Sequence, residues 1–159
     1  MDAPLILWVE GDPVPQPRQK FGARIIRGKP IPVPYGFSKN EPISIYKEAI
    51  RRTARAAYSG PLLEGPLSID ILAVHTRPKA MRWKTRPMPR EWLAGNYDVD
   101  NVMKAIMDAL TGIWWKDDRQ IADSRCRKLT AAGHEGPHIY VRVAPIVAVD
   151  SEEPQPSLF

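Results

Sequence analysis

The sequence has few of the features that would place it in a membrane or an oxidising compartment. It has one cysteine, Cys126, among 159 residues, which excludes an internal disulfide and a cysteine zinc site and fits a reducing cytoplasm. No apolar run approaches the roughly 20 residues that cross a bilayer. The apolar stretch near the N-terminus is five residues long and follows no basic segment. We therefore expect neither a transmembrane helix nor a secretory signal.

Acidic residues are the minority charge. Lys and Arg total 23 against 18 Asp and Glu, a net charge of +5, which favours polyanions because each phosphate contacted releases counterions. Two stretches, 13–34 and 77–90, are rich in proline and basic residues and contain no acid. Proline makes such loops stiff and extended, and their charge suits a polyanion. Their candidate contacts, which are DNA-binding residues if that polyanion is DNA, are Arg18, Lys20, Arg24, Arg82, Lys84 and Arg86.

The hydrophobic periodicity predicts the element order β-α-β-α-β-β. The predicted strands are 5–9, 67–74, 121–130 and 138–146, and the predicted helices run from a cap at Ser38 or Asn40 to Gly60 and from 100 to 110. This order predicts a single α/β (α+β) domain over residues 1–149, with a mixed four-stranded sheet and two main helices. The polar residues 150–159 are predicted to form a disordered acidic tail.

Four acids are concentrated in two short clusters, Asp98 with Asp100 and Asp117 with Asp118. Neighbouring carboxylates destabilise one another unless a cation lies between them, and carboxylate oxygens are the protein ligands that Mg²⁺ prefers. Lys104 follows Asp100 by one helical turn, on the same face, where its ammonium could contact a phosphate or orient a water. The combination indicates metal-assisted phosphodiester cleavage.

Each of these residues also has a plainer interpretation. An aspartate of the first cluster could be only the N-cap of the second helix, and the second cluster could be only a solvated turn. Lys104 and Asp108 could form an ordinary surface ion pair worth under ~1 kcal/mol. The residues taken singly do not decide between these interpretations.

Taken as one string, residues 98–121 resemble the RusA family of phage and prophage Holliday junction resolvases. The matching motifs are Asp-x-Asp-Asn-x-x-Lys at 98–104, Asp-Ala-Leu at 108–110, Gly112, and Asp-Asp-x-Gln with a hydrophobic residue at 117–121. About ten fixed positions at these spacings make the pattern specific. The segment 11–18 also resembles the family's Gly-x-Pro-x-x-x-x-Arg motif, so the likeness extends loosely over residues 5–145.

The resemblance implies a function and a site. Asp98, Asp100 and Asp118 would bind the metal with Asp117 in support, and Lys104 would be catalytic. The family is homodimeric, binds four-way DNA junctions and makes paired nicks with Mg²⁺ or Mn²⁺, without a small-molecule cofactor. The resemblance also implies a phage or prophage gene acting in the cytoplasm of a bacterial host. The alternatives are the same chemistry on flaps or forks, and a protein that binds junctions without cutting them.

Several residues around this motif have open roles. Lys128 matches a lysine that the family often carries on the strand after the acidic pair, and we rank it with the DNA-binding residues. Trp83 and Trp92 either stack on unpaired bases or anchor their own loop. His75, His134 and His138 lack metal-ligand spacing, so we interpret all three as structural or exposed. Candidate dimer-interface residues are Ile113, Trp114, Trp115 and the strand 138–146.

Overall fold

A five-stranded mixed sheet with two helices on one face forms the centre of the computed structural model, which describes residues 3–18, 20–95 and 97–146. The strands and helices in chain order are β1 Leu5–Glu10, β2 Lys20–Ile26, β3 Lys29–Tyr35, α1 Pro42–Ala57, β4 Leu67–His75, β5 Glu91–Trp92, α2 Val99–Leu110, β6 Ile121–Thr130 and β7 His138–Pro145. Two short 3₁₀ turns occupy Lys79–Met81 and Asp118–Gln120. The acidic tail expected at 150–159 lies outside the described residues.

The sheet order is β1-β7-β4-β6-β5, and the direction of its central strands decides where α2 lies. β4 pairs with β6 in parallel and with β7 in antiparallel orientation. Since neighbouring parallel strands need a crossover between them, the chain leaves the end of β4 and returns through α2 to the start of β6. The N-terminus of α2 is therefore at the end of β4, and its C-terminus is at the start of β6.

Alternation along β4 separates the two faces of the sheet. Leu67, Ile69, Ile71 and Ala73 are buried among helix residues. Asp70, on the other face, accepts hydrogen bonds at 2.8 and 2.9 Å from Arg127 of β6. The half-buried Asp70 is therefore paired across the sheet.

The two helices pack together and present their outer faces to solvent. Their buried stripes have helical spacing and consist of Ile43, Tyr46, Ile50 and Ala54 in α1 and Val102, Ala105, Ile106, Ala109 and Leu110 in α2. The N-cap of α1 is Glu41, with Pro42 at the first helical position, where a missing N–H costs nothing. The predicted caps Ser38 and Asn40 therefore lie before the helix begins.

Trp114 and Trp115 both belong to the core. Each is completely buried, and the indole N–H of Trp114 donates to Ala54 O at 3.2 Å. β7 lies between β1 and β4, inside the sheet. The expectation that these tryptophans supply a dimer interface is wrong, because the core of the single chain already uses them; for Ile113 and β7 it stays a prediction.

The predicted α+β fold class is confirmed, but the sheet has five strands instead of four, and a separate hairpin is added. The additional sheet strand, β5, is only two residues long and pairs with the end of β6. The hairpin joins β2 to β3 within the stretch predicted as an extended loop. Its two-residue turn places Arg27 and Gly28 at φ 51° and 74°, as a type I′ turn requires. No helix in the described part of the chain is long and apolar enough to cross a membrane.

We expect Ile71→Ala to lower the free energy of unfolding by about 2–5 kcal/mol, because it leaves a cavity under the central strand. Ile25→Ala is the control, since Ile25 of the hairpin is 74% exposed and its truncation should cost no more than about 0.5 kcal/mol. Urea unfolding of both variants measures the difference. Equal losses would place Ile71 outside the core.

Candidate active site

The two acidic clusters lie at opposite ends of α2. Asp98 is the N-cap and Asp100 lies in the first turn, whereas Asp118 contacts Thr111, the C-cap residue. At a rise of 1.5 Å per residue the 12-residue helix is about 18 Å long. Oxygens that bind one Mg²⁺ lie within about 4 Å of each other, since each is about 2 Å from the ion. One chain therefore does not bring the two clusters around one ion.

The described metal-ligating side chains also fail to converge anywhere else on the chain. Within the described ranges, no group of three or more His, Cys, Asp or Glu side chains is arranged to hold a metal ion. Any ion bound by residues of both clusters needs ligands from a second molecule.

The first cluster is accessible to a cation. Asp98 and Asp100 are exposed, and Asp98 occupies the N-cap without a capping hydrogen bond from its side chain. Neither carboxylate has an ion-pair partner among the described residues, where the positive end of the helix dipole is the favourable charge nearest to both. Two adjacent aspartates in this state fit Mg²⁺, which commonly binds through one or two carboxylates and several waters.

Lys104 lies one turn beyond Asp100 on the outer face of α2 and is exposed. The surface ion pair considered for Lys104 and Asp108 does not form. Asp108 instead accepts from Lys47 Nζ at 2.9 Å and so links α2 to α1. This leaves the Lys104 ammonium without an acidic partner among the described residues.

Asp118 is held in one orientation by the protein. Its Oδ1 accepts from the indole N–H of the buried Trp115 at 3.0 Å and from the hydroxyl of Thr111. Among the described residues, Oδ2 has no donor. The half-buried carboxylate is thus fixed on one side and open on the other. Sequence reasoning missed Thr111 and Trp115 as site residues, and the only available signal was their position seven and three residues before Asp118.

Asp117 has a structural role that differs from the role of Asp118. It caps the 3₁₀ turn by accepting from the backbone N–H of Arg119, and both of its oxygens accept from the Arg119 guanidinium. These hydrogen bonds lower the pKa of Asp117 to about 2. The Gln120 side chain completes the capping box and donates to Leu63 O at 2.9 Å. Asp117 and Gln120 therefore build the turn that presents Asp118.

The backbone near Asp98 is anchored by two other segments. Lys128, predicted to bind DNA, directs its ammonium to the carbonyls of Tyr97 and Gly95. Gln16 donates its backbone N–H to Asn101 O at 2.8 Å, which attaches the segment before β2 to the first turn of α2. The structure thus engages Lys128 with the chain leading into Asp98.

A small cavity of about 320 Å³ adjoins this end of the sheet. Asp12 accepts from the backbone N–H and hydroxyl of Thr76 at 2.7 and 2.6 Å. His75 is buried beside Tyr97, with ring centroids 5.9 Å apart, and burial lowers its pKa. His138 is also buried and stacks on Trp8. Both histidines have structural surroundings, as predicted from their spacing.

The basic stretch 77–90 divides into structural and exposed cations. Arg77 is buried and donates to Ala131 O and Glu91 at 2.8 and 3.1 Å. Arg90 pairs with Glu135, and this hydrogen bonding lowers the pKa of Glu135 to about 2. Apart from Arg90, which is exposed but paired, the exposed basic residues of the stretch are Lys79, Arg82, Lys84 and Arg86.

The remaining predicted DNA contacts lie near these segments. Arg18 and Arg24 are exposed, while Lys20 begins β2 with a side chain outside the described set. Trp83 is half-buried under the Arg86 guanidinium, 5.7 Å from the ring centroid, which fits an anchor for the loop. Trp92 of β5 is 75% exposed and so is open to a partner.

The class of protein that matches this fold and these acids is the endodeoxyribonucleases: a sequence model of endodeoxyribonuclease RusA matches residues 10–144. The matched range covers most of the 159-residue chain and includes both acidic clusters, Lys104 and the segment anchored at Asn101. The chain belongs to the RusA family, which confirms the resemblance drawn from residues 98–121. No curated protein matches the chain significantly.

We expect Trp115→Phe to slow DNA cleavage by about 10–100-fold, the usual effect of removing a partner that orients a ligand. The substitution keeps a buried aromatic ring and removes the N–H that holds Asp118. Trp114→Phe is the matched control, because it removes an indole hydrogen bond from an equally buried ring that serves Ala54. Single-turnover cleavage and thermal unfolding should be measured for both. Equal rates in variants of equal stability would show that the orientation of Asp118 is unimportant.

Proposed function

We propose that this chain is a magnesium-dependent, structure-selective endonuclease that resolves Holliday junctions by paired nicks as a homodimer. Membership of the RusA family supports DNA cleavage. The observation that carries the proposal is the exposed row of Asp98, Asp100 and Lys104 along α2, three charged side chains that form no ion pair within the described part of the chain. By the same family argument, the protein acts in the cytoplasm of a bacterial host that carries a phage or prophage.

The distance between the acidic clusters supports the proposed homodimer. A two-fold axis across the middle of α2 would set two copies of the helix antiparallel. Asp98 and Asp100 of one subunit would then approach Asp118 of the partner subunit, and the same would happen at the other end. The two sites formed in this way would be about 18 Å apart, the length of α2. A four-way junction is itself two-fold symmetric, so two equivalent sites match two nicks.

The side chains have separate roles in this proposal. Asp98 and Asp100 would hold Mg²⁺ with Asp118 of the partner subunit, and Mn²⁺ offers the same preference for oxygen ligands. When bound, the ion supplies positive charge that activates water and offsets charge on the displaced oxygen. Lys104 would contact a non-bridging phosphate oxygen and stabilise the charge that builds up there. The partial positive charge at the N-terminus of α2 favours the same negative groups.

Two other activities remain as alternatives. The first is the same chemistry on flaps or replication forks, which the acids on α2 would serve equally well. The second is binding of junctions without cleavage, but the free carboxylates would repel phosphate and give a pure binding protein no advantage. A panel of four-way, forked, flapped and linear DNAs, each incubated with and without Mg²⁺, distinguishes all three. Cleavage of the four-way junction by symmetric nicks, only with the ion, is the expected result.

Shared sites make a specific prediction for mixed subunits. Asp100→Asn and Asp118→Asn should each abolish cleavage, because each removes a ligand from both sites of its dimer. After the two variants are mixed and allowed to exchange subunits, half of the dimers are mixed, and each should regain one intact site. The mixture should therefore show about a quarter of the wild-type site concentration and make single nicks. Gel analysis of nicked and resolved junctions measures this.

Two controls complete the mixing experiment. Each variant alone should still bind junctions, and Asp100→Asn should bind as tightly as the wild type or more tightly, since it loses negative charge near phosphate. An inactive mixture with proven subunit exchange would show that the sites are not shared. An inactive wild type under every metal condition would instead refute the nuclease itself.

DNA binding should depend strongly on salt through the exposed cations of the 77–90 loop. Replacing Arg82, Lys84 and Arg86 together with alanine should reduce the slope of log K against log[salt] by roughly 2–3 units if each contacts one phosphate. The control is a triple alanine variant of Arg51, Arg52 and Arg55 on α1, which has the same change in net charge. Equal slopes for the two triple variants would mean that the loop has no special contact with DNA.

A further inference from the structure

The hairpin of β2 and β3 stands apart from the rest of the described structure. Its strands pair over the whole register from Lys20 with Tyr35 to Ile26 with Lys29. Neither strand packs extensively against any other described helix or strand, and neither contributes to the hydrophobic core. An isolated two-stranded ribbon is at best marginally stable in water, so a partner that covers it would stabilise it.

One face of this ribbon is entirely apolar where its side chains are described. Residues directly opposite each other share a face, which places Ala23 beside Pro32 and Ile25 beside Pro30, with Phe21 two positions further along. All five are exposed, Phe21 by 62% and Ile25 by 74%. The opposite face also carries exposed Ile26 and Ile31, but they are mixed with Arg24 and Lys29, so the uniformly apolar face is the better interaction surface.

The charges of the ribbon complement a polyanion. Residues 20–35 contain four basic residues and no acid. Arg24 lies on the face opposite Ile25, and Arg27 is in the turn. Apolar contact on one side with cations around it is the combination used by proteins that insert Phe, Ile or Pro between DNA base steps.

Strand addition by another protein is disfavoured at one edge. Pro30, Pro32 and Pro34 occupy alternate positions of β3, and a proline nitrogen has no hydrogen to donate. Prolines in an edge strand block pairing with a further strand. Since the charges also repel a second copy of the same ribbon, DNA is the better occupant.

The base of the ribbon lies beside the candidate active site. Gln16, four residues before β2 begins, is hydrogen-bonded to Asn101 O in the first turn of α2. A seven-residue strand extends about 20 Å, further than the width of a major groove, about 12 Å. A ribbon of this length can reach past a bound phosphate near Asp98 to bases that the site itself does not touch.

We propose that the apolar face of this ribbon, formed by Phe21, Ala23, Ile25, Pro30 and Pro32, packs against unstacked base faces at the branch point of DNA. The inference rests on the proposed function and assigns the recognition of branching to one segment of the chain. Intact duplex offers no free base face, whereas a branch point interrupts stacking and exposes one. The basic residues of the ribbon then contribute affinity for any DNA, and its apolar face contributes the preference for branches.

The test compares a four-way junction with linear duplex of the same length. Phe21→Ser with Ile25→Ser should lower the preference for the junction by about 10-fold, within the range expected from losing contact with one or two bases. Affinity for duplex and its salt dependence should not change. The control is Ile6→Ser with Ile45→Ser, two residues exposed by 51% and 60% elsewhere on the surface, which should keep the preference. Phe21→Leu with Ile25→Leu should also keep it, because the face stays apolar.

Fluorescence of 2-aminopurine placed at the branch point adds a direct readout, and it should respond to the wild type and the leucine variant but not to the serine variant. An unchanged junction preference in the serine variant would overturn the inference while the wild type still cuts junctions. A shift of the serine variant to monomer in sedimentation equilibrium would also overturn it, since the face would then bind a second copy. Failure of the wild type to cut any DNA would refute the proposed function separately.

Discussion

The packing of α2 against the sheet and α1 is the constraint on which the candidate site depends. Burial of Val102, Ala105, Ile106 and Ala109 fixes which side of the helix faces inward. Asp100 and Lys104 are consequently on the outer side of the helix, four positions apart and so on one face. The parallel pairing of β4 and β6 then fixes the direction of α2, so its N-terminus lies near the end of β4 and its C-terminus near the start of β6. The hydrophobic core thus determines both the exposure of the acids and their separation.

The carboxylates at the two ends of α2 differ in how firmly the protein orients them. At the N-terminal end, Asp98 and Asp100 are exposed and have no side-chain donor among the residues that the structure describes, so a cation would decide their orientation. At the C-terminal end, Trp115 and Thr111 fix one oxygen of Asp118 before any ligand arrives. A fixed ligand loses less conformational entropy on binding than a mobile one. Asp118 is therefore suited to orient a site, while the first cluster is suited to adapt to it.

The chemistry of the site could be predicted from the sequence more completely than its geometry. Helical spacing predicted α2 and the shared face of Asp100 and Lys104, because a period of 3.6 residues is a local property. The position of Asp118 could not be predicted, because the chain after α2 could have turned back towards Asp98, and only the contacts with Thr111 and Trp115 show that it stays at the C-terminal end. The capping box of Asp117 and Gln120 could not be predicted either, because the sequence of an Asp-Asp pair does not show which of the two aspartates caps the turn.

The basic segments show the same limit. The sequence of 77–90 does not distinguish a buried arginine from an exposed one. Arg77 is buried against Ala131 and Glu91, whereas Arg82 is exposed. A buried arginine must satisfy its donors within the protein, and only the tertiary structure shows which ones do. The prolines of β3 were interpreted as marks of a loop, because proline removes a ladder donor. In a two-stranded ribbon, every second residue of a strand directs its backbone N–H side away from the partner strand. Prolines at those positions remove no hydrogen bond of the ladder, so the hairpin tolerates them.

The separation of the acids also bears on control of cleavage. A nuclease with all its ligands on one chain could nick DNA as a monomer, and a single nick leaves a four-way junction unresolved. In the proposed dimer, one chain presents Asp98 and Asp100 without Asp118, so neither site is complete until two chains meet. Both sites then form in the same step, because the two-fold axis that creates one creates the other. The length of α2 would thus link cutting to assembly and place the cuts in pairs.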